Sequence, residues 1–176
     1  EIFGKETVYL AGNEKLEFNI EGLKLQLSPN SFFQLNTIQS FAMFNKLKEF
    51  IKTGSLMVEA YCGVGTISLL LHEYFDEIIG IEIIKEAIEN AKVNALNNQV
   101  KNCRFICGDS ANECEKIVSK KEIDCLIVDP PRSGLDDKMI HMIRSAKIKQ
   151  IFYISCNPST LAKNLSQLKN EYEVER

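Results

Sequence analysis

Apolar and polar positions alternate from residue 6 to residue 28, and Phe18, Ile20, Leu23, Leu25 and Leu27 fall on either side of a two-residue Glu21-Gly22 turn. Strict alternation around a turn with Gly in second place predicts a tight antiparallel hairpin. Gly12-Asn13 marks another turn upstream. After the loop S-P-N-S-F-F-Q-L-N at 28 to 36, Ile38, Phe41, Phe44, Leu47 and Ile51 recur at steps of three and four, with Asn36 as cap and Gly54 as stop. That spacing predicts an amphipathic helix. The loop itself reads equally as a binding element or as an apolar plug under the helix start.

Beyond Gly54 the rhythm changes to short apolar runs separated by helical segments of about a dozen residues. Strands are expected at Leu56 to Tyr61, Ile78 to Glu82, Arg104 to Cys107, Ile123 to Val128 and Gln150 to Ser155. Helices are expected at Thr66 to Tyr74, Ile84 to Asn97, Ser110 to Ser119, Asp137 to Ala146 and Ser159 to Asn170. Such alternation implies parallel βαβ units and an α/β, doubly wound, mostly parallel sheet behind a small N-terminal β-hairpin unit. We divide the chain into a hairpin segment, 1–30, and a sheet domain, 31–176.

Composition narrows the class. With 45% hydrophobic and 26% charged residues in 176, one compact domain with a real core is expected. No apolar run reaches the roughly 18 residues of a membrane helix, and no signal pattern opens the chain, so we expect a cytoplasmic protein without membrane contact, and a monomer. A net charge of −3 gives no support to strong unspecific nucleic-acid binding. The six cysteines, at 62, 103, 107, 114, 125 and 156, form no C-x-x-C pair and lie far in sequence from His72 and His141. No metal site is expected in this chain. Cys103, Cys107, Cys114 and Cys125 read as small buried hydrophobes.

The chemistry concentrates where strands end. The first strand of the series leads into Glu59-Ala60-Tyr61-Cys62-Gly63-Val64-Gly65-Thr66, where glycines let a ligand approach the backbone at a helix start. The dinucleotide fingerprint is not met, since no third glycine follows. Glu82, about twenty residues on at the next strand end, is placed to accept ribose hydroxyls. Asp109 either meets an adenine amino group or caps the helix after it. Asp129 opens D-P-P-R, a stiff turn without proline amide hydrogens; Arg132 reads as a solvated side chain. Cys156, in F-Y-I-S-C-N-P, stands where a strand gives way to a helix, a setting that favours thiolate.

This series resembles class I S-adenosylmethionine-dependent methyltransferases. The stretches S-P-N-S-F-F-Q-L-N at 28 to 36, Y-C-G-V-G-T at 61 to 66, V-D-P-P-R-S-G-L at 128 to 135 and Y-I-S-C-N-P-S-T-L at 153 to 161 resemble the RNA uracil-5-methyltransferases over nearly the whole chain. The resemblance implies a Rossmann-like methyltransferase sheet and S-adenosylmethionine as cofactor. It also implies that Gln34, Tyr61, Glu82 and Asp129 line the cofactor and target-base pocket, and that Cys156 is the nucleophile. A thiolate added to carbon 6 of uracil would make carbon 5 able to attack a sulfonium methyl, and the base must leave its stack to be reached. RNA is the implied substrate, ribosomal RNA ahead of transfer RNA.

Two departures from the family pattern shape the expectations. The family's general base is a Glu well downstream of the nucleophile, and Glu171, Glu173 and Glu175 do not match its motif. Nothing here matches the family's N-terminal RNA-binding or iron–sulfur domain. The chain is therefore expected to be truncated at its C-terminal end, to hold cofactor fold and nucleophile without completing turnover alone, and to leave the Cys156 strand as a sheet edge. Two rivals remain: an amino-group methyltransferase acting on adenine or guanine, with Cys156 incidental, and a non-catalytic S-adenosylmethionine- or RNA-binding module.

Overall fold

The structure is a computed structural model that describes residues 8, 11–13, 15–28 and 37–175. Gln34 and Asn36, with the rest of 29–36, lie outside the described residues. The predicted hairpin forms from β1 (Leu16–Ile20) and β2 (Leu23–Leu27), with Phe18 opposite Leu25 and Ile20 opposite Leu23. Its apolar face buries Ile20, Leu25 and Leu27.

The remaining elements alternate as expected. They are α1 (Thr37–Phe50), β3 (Gly54–Ala60), α2 (Thr66–Leu70), β4 (Phe75–Glu82), α3 (Lys85–Asn97), β5 (Cys103–Cys107), α4 (Ser110–Val118), β6 (Cys125–Val128), α5 (Asp137–Ser145), β7 (Gln150–Tyr153) and α6 (Pro158–Leu168). The five later strands form one parallel sheet in the order β5-β4-β3-β6-β7. Neighbouring residues within a strand face opposite layers. Met57, Ile78 and Ile127 join a core with Phe44, Leu47, Ile88 and Ala91 of α1 and α3. Val58, Ile79 and Leu126 join the other with Cys114, Met139, Ile143 and Leu168 of α4, α5 and α6. Both faces are covered, which is the doubly wound arrangement.

Local chemistry explains where boundaries moved. The single helix expected from Thr66 to Tyr74 breaks at Leu71 into α2 and one 3₁₀ turn, His72–Tyr74. Asn102 Nδ2 donates to the carbonyls of His72 (2.7 Å) and Phe75 (2.8 Å), tying that turn so that Phe75 enters β4 extended. At β7 pairing stops after Ile154 N donates to Val128 O (2.9 Å), since Ser155 Oγ turns to accept from Asn157 N (3.1 Å). β7 is an edge among the described residues, and its four residues are half-buried. Residues 172–175 form no strand there. Tyr172 instead packs back onto α5, its hydroxyl 2.7 Å from the Ala146 carbonyl.

One cysteine departs from expectation. Cys114 and Cys125 are buried and Cys103 half-buried, but Cys107 is exposed. It ends the edge strand β5, and its thiol lies 3.6 Å from the carbonyl of Ile83. Burial holds the other three thiols at about 12, far from the thiolate form.

Candidate active site

All five parallel strands finish at one sheet margin, and the topology reverses between β3 and β6 because β4 and β5 lie on one side of β3 and β7 lies beyond β6. Ligands of open α/β sheets bind in the crevice that such a reversal leaves. The loop after β3 and the loop after β6 flank this crevice.

The β3 loop is shaped by left-handed backbone. Tyr61, Gly63 and Gly65 have φ of 65°, 52° and 81°. For Gly65 the requirement is steric as well, since a Cβ there would stand 2.8 Å from the Phe105 ring. Cys62 N donates to Ile81 O (2.9 Å) and Gly65 N to Cys62 O (2.9 Å). Glu82 ends β4 half-buried; its carboxylate accepts from Gly63 N (3.2 Å) and Ile84 N (3.0 Å). The glycine loop and Glu82 are thus one unit. Beside it, Ile83 exposes two-thirds of its surface, an apolar face that the strand pattern did not flag.

A cleft opens between this loop and α1, lined by Ser40, Met43, Phe44, Glu59, Tyr61, Cys62, Gly63 and Asp129. Tyr61 and Asp129 therefore line one cleft. Asp129 N lies 3.5 Å from Ala60 O, which continues the β3–β6 pairing one step past the strands. Burial pushes the Tyr61 phenol far above its ordinary range.

Sequence reasoning passed over Glu59. It is 2% exposed within an otherwise apolar strand, and its Oε2 accepts from Ser68 N (2.8 Å) and from the Ser68 hydroxyl. Burial pushes its carboxyl up to about 8 against those hydrogen bonds, and Asp129 and Glu82 push the same way. At neutral pH Glu59 is mostly a neutral acid on the cleft wall. The available signal was an acid inside the run L-M-V-E-A, which the strand pattern alone treats as one polar interruption.

Glu82, Asp109 and Cys156 lie outside that cleft lining, Glu82 against the loop backbone at the end of β4 and the other two on strand ends to either side. Asp109 is exposed and caps α4, its Oδ1 accepting from Asn112 N (2.9 Å). Cys156 is exposed, one residue before Asn157, whose side chain caps α6 by accepting from Ser159 N (3.1 Å); Pro158 occupies the first turn.

The Cys156 loop is stitched to the Asp129 loop. Asn157 Nδ2 (3.1 Å) and Thr160 Oγ1 (3.3 Å) both donate to the Arg132 carbonyl. Deeper, Asn164, 3% exposed, accepts from Leu135 N (2.9 Å) and the Tyr153 hydroxyl (2.9 Å) and donates to Leu135 O (3.2 Å). Gly134 allows this approach, since a Cβ there would meet Asn164 Oδ1 at 2.5 Å. Because β6 and β7 are adjacent, about 4.8 Å apart, the loops that carry Cys156 and the diproline leave neighbouring strand ends at the same sheet margin.

No group of three or more His, Cys, Asp or Glu among the described residues could hold a metal ion. No described helix is long and apolar enough to cross a membrane.

Known proteins give this geometry a family. An RNA methyltransferase of uncharacterized role from Listeria monocytogenes is 42% identical over 98% of this chain, and one from Enterococcus faecalis is 40% identical over 95%. The chain spans only 38% and 37% of their lengths. Among solved structures, the Pyrococcus abyssi tRNA (uracil-54, C5)-methyltransferase in complex with S-adenosyl-L-homocysteine superposes with a TM-score of 0.81 at 28% identity, covering 99% of this chain and 44% of that one. An S-adenosylmethionine-dependent methyltransferase from Agrobacterium tumefaciens shares the fold alone, with a TM-score of 0.65 at 16% identity over 94% of this chain and 60% of its own. The sequence pattern of the tRNA (uracil-5-)-methyltransferases matches residues 5–176, and the chain belongs to that family.

Proposed function

We propose that this protein methylates carbon 5 of a uridine in RNA, with S-adenosylmethionine as methyl donor and Cys156 as covalent nucleophile. The observation that carries the reading is the exposed thiol of Cys156 in the loop after β7, a loop that Asn157 and Thr160 tie to the Arg132 carbonyl of the diproline loop.

The donor set suits the cofactor. Left-handed glycines offer close approach to backbone, Glu82 offers a carboxylate able to accept ribose hydroxyls, and Ile83 offers an apolar surface beside it. When bound, S-adenosylmethionine supplies an electrophilic methyl on a sulfonium. Tyr61, Glu82, Asp109 and Asp129 are our cofactor-binding set within the described residues, with Gln34 carried from the sequence motif.

Cys156 as thiolate adds to carbon 6 of the uracil. A carbon–sulfur bond forms, the 5,6 double bond opens and its electrons reach oxygen 4 as an enolate, which makes carbon 5 nucleophilic. After methyl transfer, a general base, which the family resemblance assigns to a Glu downstream of the nucleophile, takes the carbon 5 proton. The C–H electrons restore the 5,6 double bond and the Cys156 thiolate is expelled. The diproline turn beside Asp129 offers carbonyl acceptors without competing proline N–H donors.

Replacing Cys156 by Ala in the full-length protein tests this, with tritiated methyl transfer to RNA as readout. Loss of methylation with S-adenosylhomocysteine binding retained supports the reading. Near-normal methylation would transfer support to an amino-group methyltransferase. The sequence reading placed ribosomal RNA first, whereas the names of the family and of the Pyrococcus neighbour speak of transfer RNA. Mapping methyluridine in both RNA classes after gene deletion decides between them.

A further inference from the structure

Three asparagines one helical turn apart, Asn90 and Asn94 of α3 and Asn98 at its C-terminal cap, form a polar line that faces β2 of the hairpin and Ser28 just after it. Asn98 accepts from Lys24 N (2.8 Å) and donates to Lys24 O (2.8 Å). Asn94 accepts from Gln26 N (2.7 Å) and donates to Gln26 O (3.2 Å). Asn90 donates to the hydroxyl of Ser28 (2.9 Å). Residues two apart in a strand are separated by about 6.8 Å, and residues four apart in a helix by about 6 Å of rise. The helix thus pairs with successive outward-facing residues of the strand, its carboxamides standing in for the peptide groups of a third strand.

Asn94 does more than its neighbours. Fully buried, its Nδ2 also donates to the Val64 carbonyl (3.1 Å), between the two left-handed glycines of the cleft loop. A small apolar cluster of Leu27, Val64 and Ala87, with Phe18 against it, joins the same three elements independently. We propose that Asn94 is a positioning residue for the cofactor loop, coupling the N-terminal hairpin to the Gly63–Gly65 backbone that receives the cofactor. The inference rests on the cofactor reading above. Docking of the hairpin and the shape of the loop are then coupled through this carboxamide, alongside the apolar cluster.

Isothermal calorimetry with S-adenosylhomocysteine, paired with thermal unfolding, tests this on the chain and its Asn94→Ala and Asn98→Ala variants. Both variants lose hairpin bonds, but only Asn94→Ala loses the Val64 bond. The expected result is a Kd raised at least tenfold by Asn94→Ala and within twofold of wild type for Asn98→Ala, with both unfolding at lower temperature.

Asn94→Asp keeps the side-chain shape if the alanine variant fails to fold. It loses donation to Val64 once ionised, and because burial raises a carboxyl there as it does at Glu59, donation returns on protonation and its affinity relative to wild type should recover as pH falls from 9 to 5. An unchanged Kd for Asn94→Ala, equal losses in both alanine variants, or an aspartate variant that does not recover would overturn the coupling. A wild-type chain that fails to bind S-adenosylhomocysteine would instead refute the cofactor reading on which it rests.

Discussion

Replacing Glu59 by Gln should abolish a pH dependence of stability that the wild-type chain carries between the carboxyl's ordinary value, 4.5, and its folded value, about 8. The sign follows from proton binding. Across that interval the folded state keeps the Glu59 proton while the unfolded state releases it, so stability falls as pH rises and levels off above about 8. Integrated between pH 5 and pH 8, the loss amounts to about 3 to 4 kcal/mol. Gln accepts from Ser68 as the neutral acid does and has no proton to lose. Urea unfolding of both proteins at pH 5 and pH 8 checks this, because the difference between them cancels other titrating groups. The variant should gain about 3 to 4 kcal/mol on wild type over that range. A difference that stays flat, or grows in wild type's favour, would show that Glu59 is ionised in the fold and that burial does not dominate its charge.

Other outcomes follow from the loops around the crevice. Gly65→Ala places a Cβ against Phe105 at a left-handed φ; it should lower the melting temperature and weaken S-adenosylhomocysteine binding at least tenfold in calorimetry. Asn164→Ala strips partners from the Leu135 N–H and carbonyl. It should cost about 3 kcal/mol in urea unfolding and slow methyl transfer by the full-length protein, with little change in cofactor affinity. Asp136→Ala removes the cap of α5, where the side chain accepts from Met139 N (2.7 Å). The expected cost is about 1 kcal/mol, without effect on cofactor binding.

The sheet was legible because its buried strands are continuous apolar runs such as Leu126-Ile127-Val128, and because each run ends in residues that a buried strand does not tolerate. Asp129 and Cys156 could be placed at one margin for the same reason: parallel strands put their carboxyl ends together. The asparagine line of α3 was not legible. A polar stripe on a helix reads as a solvated face, and its partner is the backbone of a strand about seventy residues earlier, which carries no side-chain signature. Glu59 was hidden similarly, since the Ser68 contacts that accommodate it arise only when α2 folds back over β3. Asp109 could be read two ways; the structure shows the cap, and its part in cofactor binding stays a proposal. Cys107 looked buried because the strand pattern does not reveal which strand is an edge.

The nucleophile can be tested most directly by trapping it. Fluorine at carbon 5 of the target uridine cannot leave as the proton does, so an enzyme that adds a thiolate at carbon 6 stalls as a covalent complex after methyl transfer. Full-length protein incubated with S-adenosylmethionine and 5-fluorouridine RNA, then digested and mapped by mass spectrometry, should carry the nucleotide on the peptide containing Cys156. Methylation of ordinary RNA by the same preparation, with no such adduct or with the adduct on a different cysteine, would contradict it.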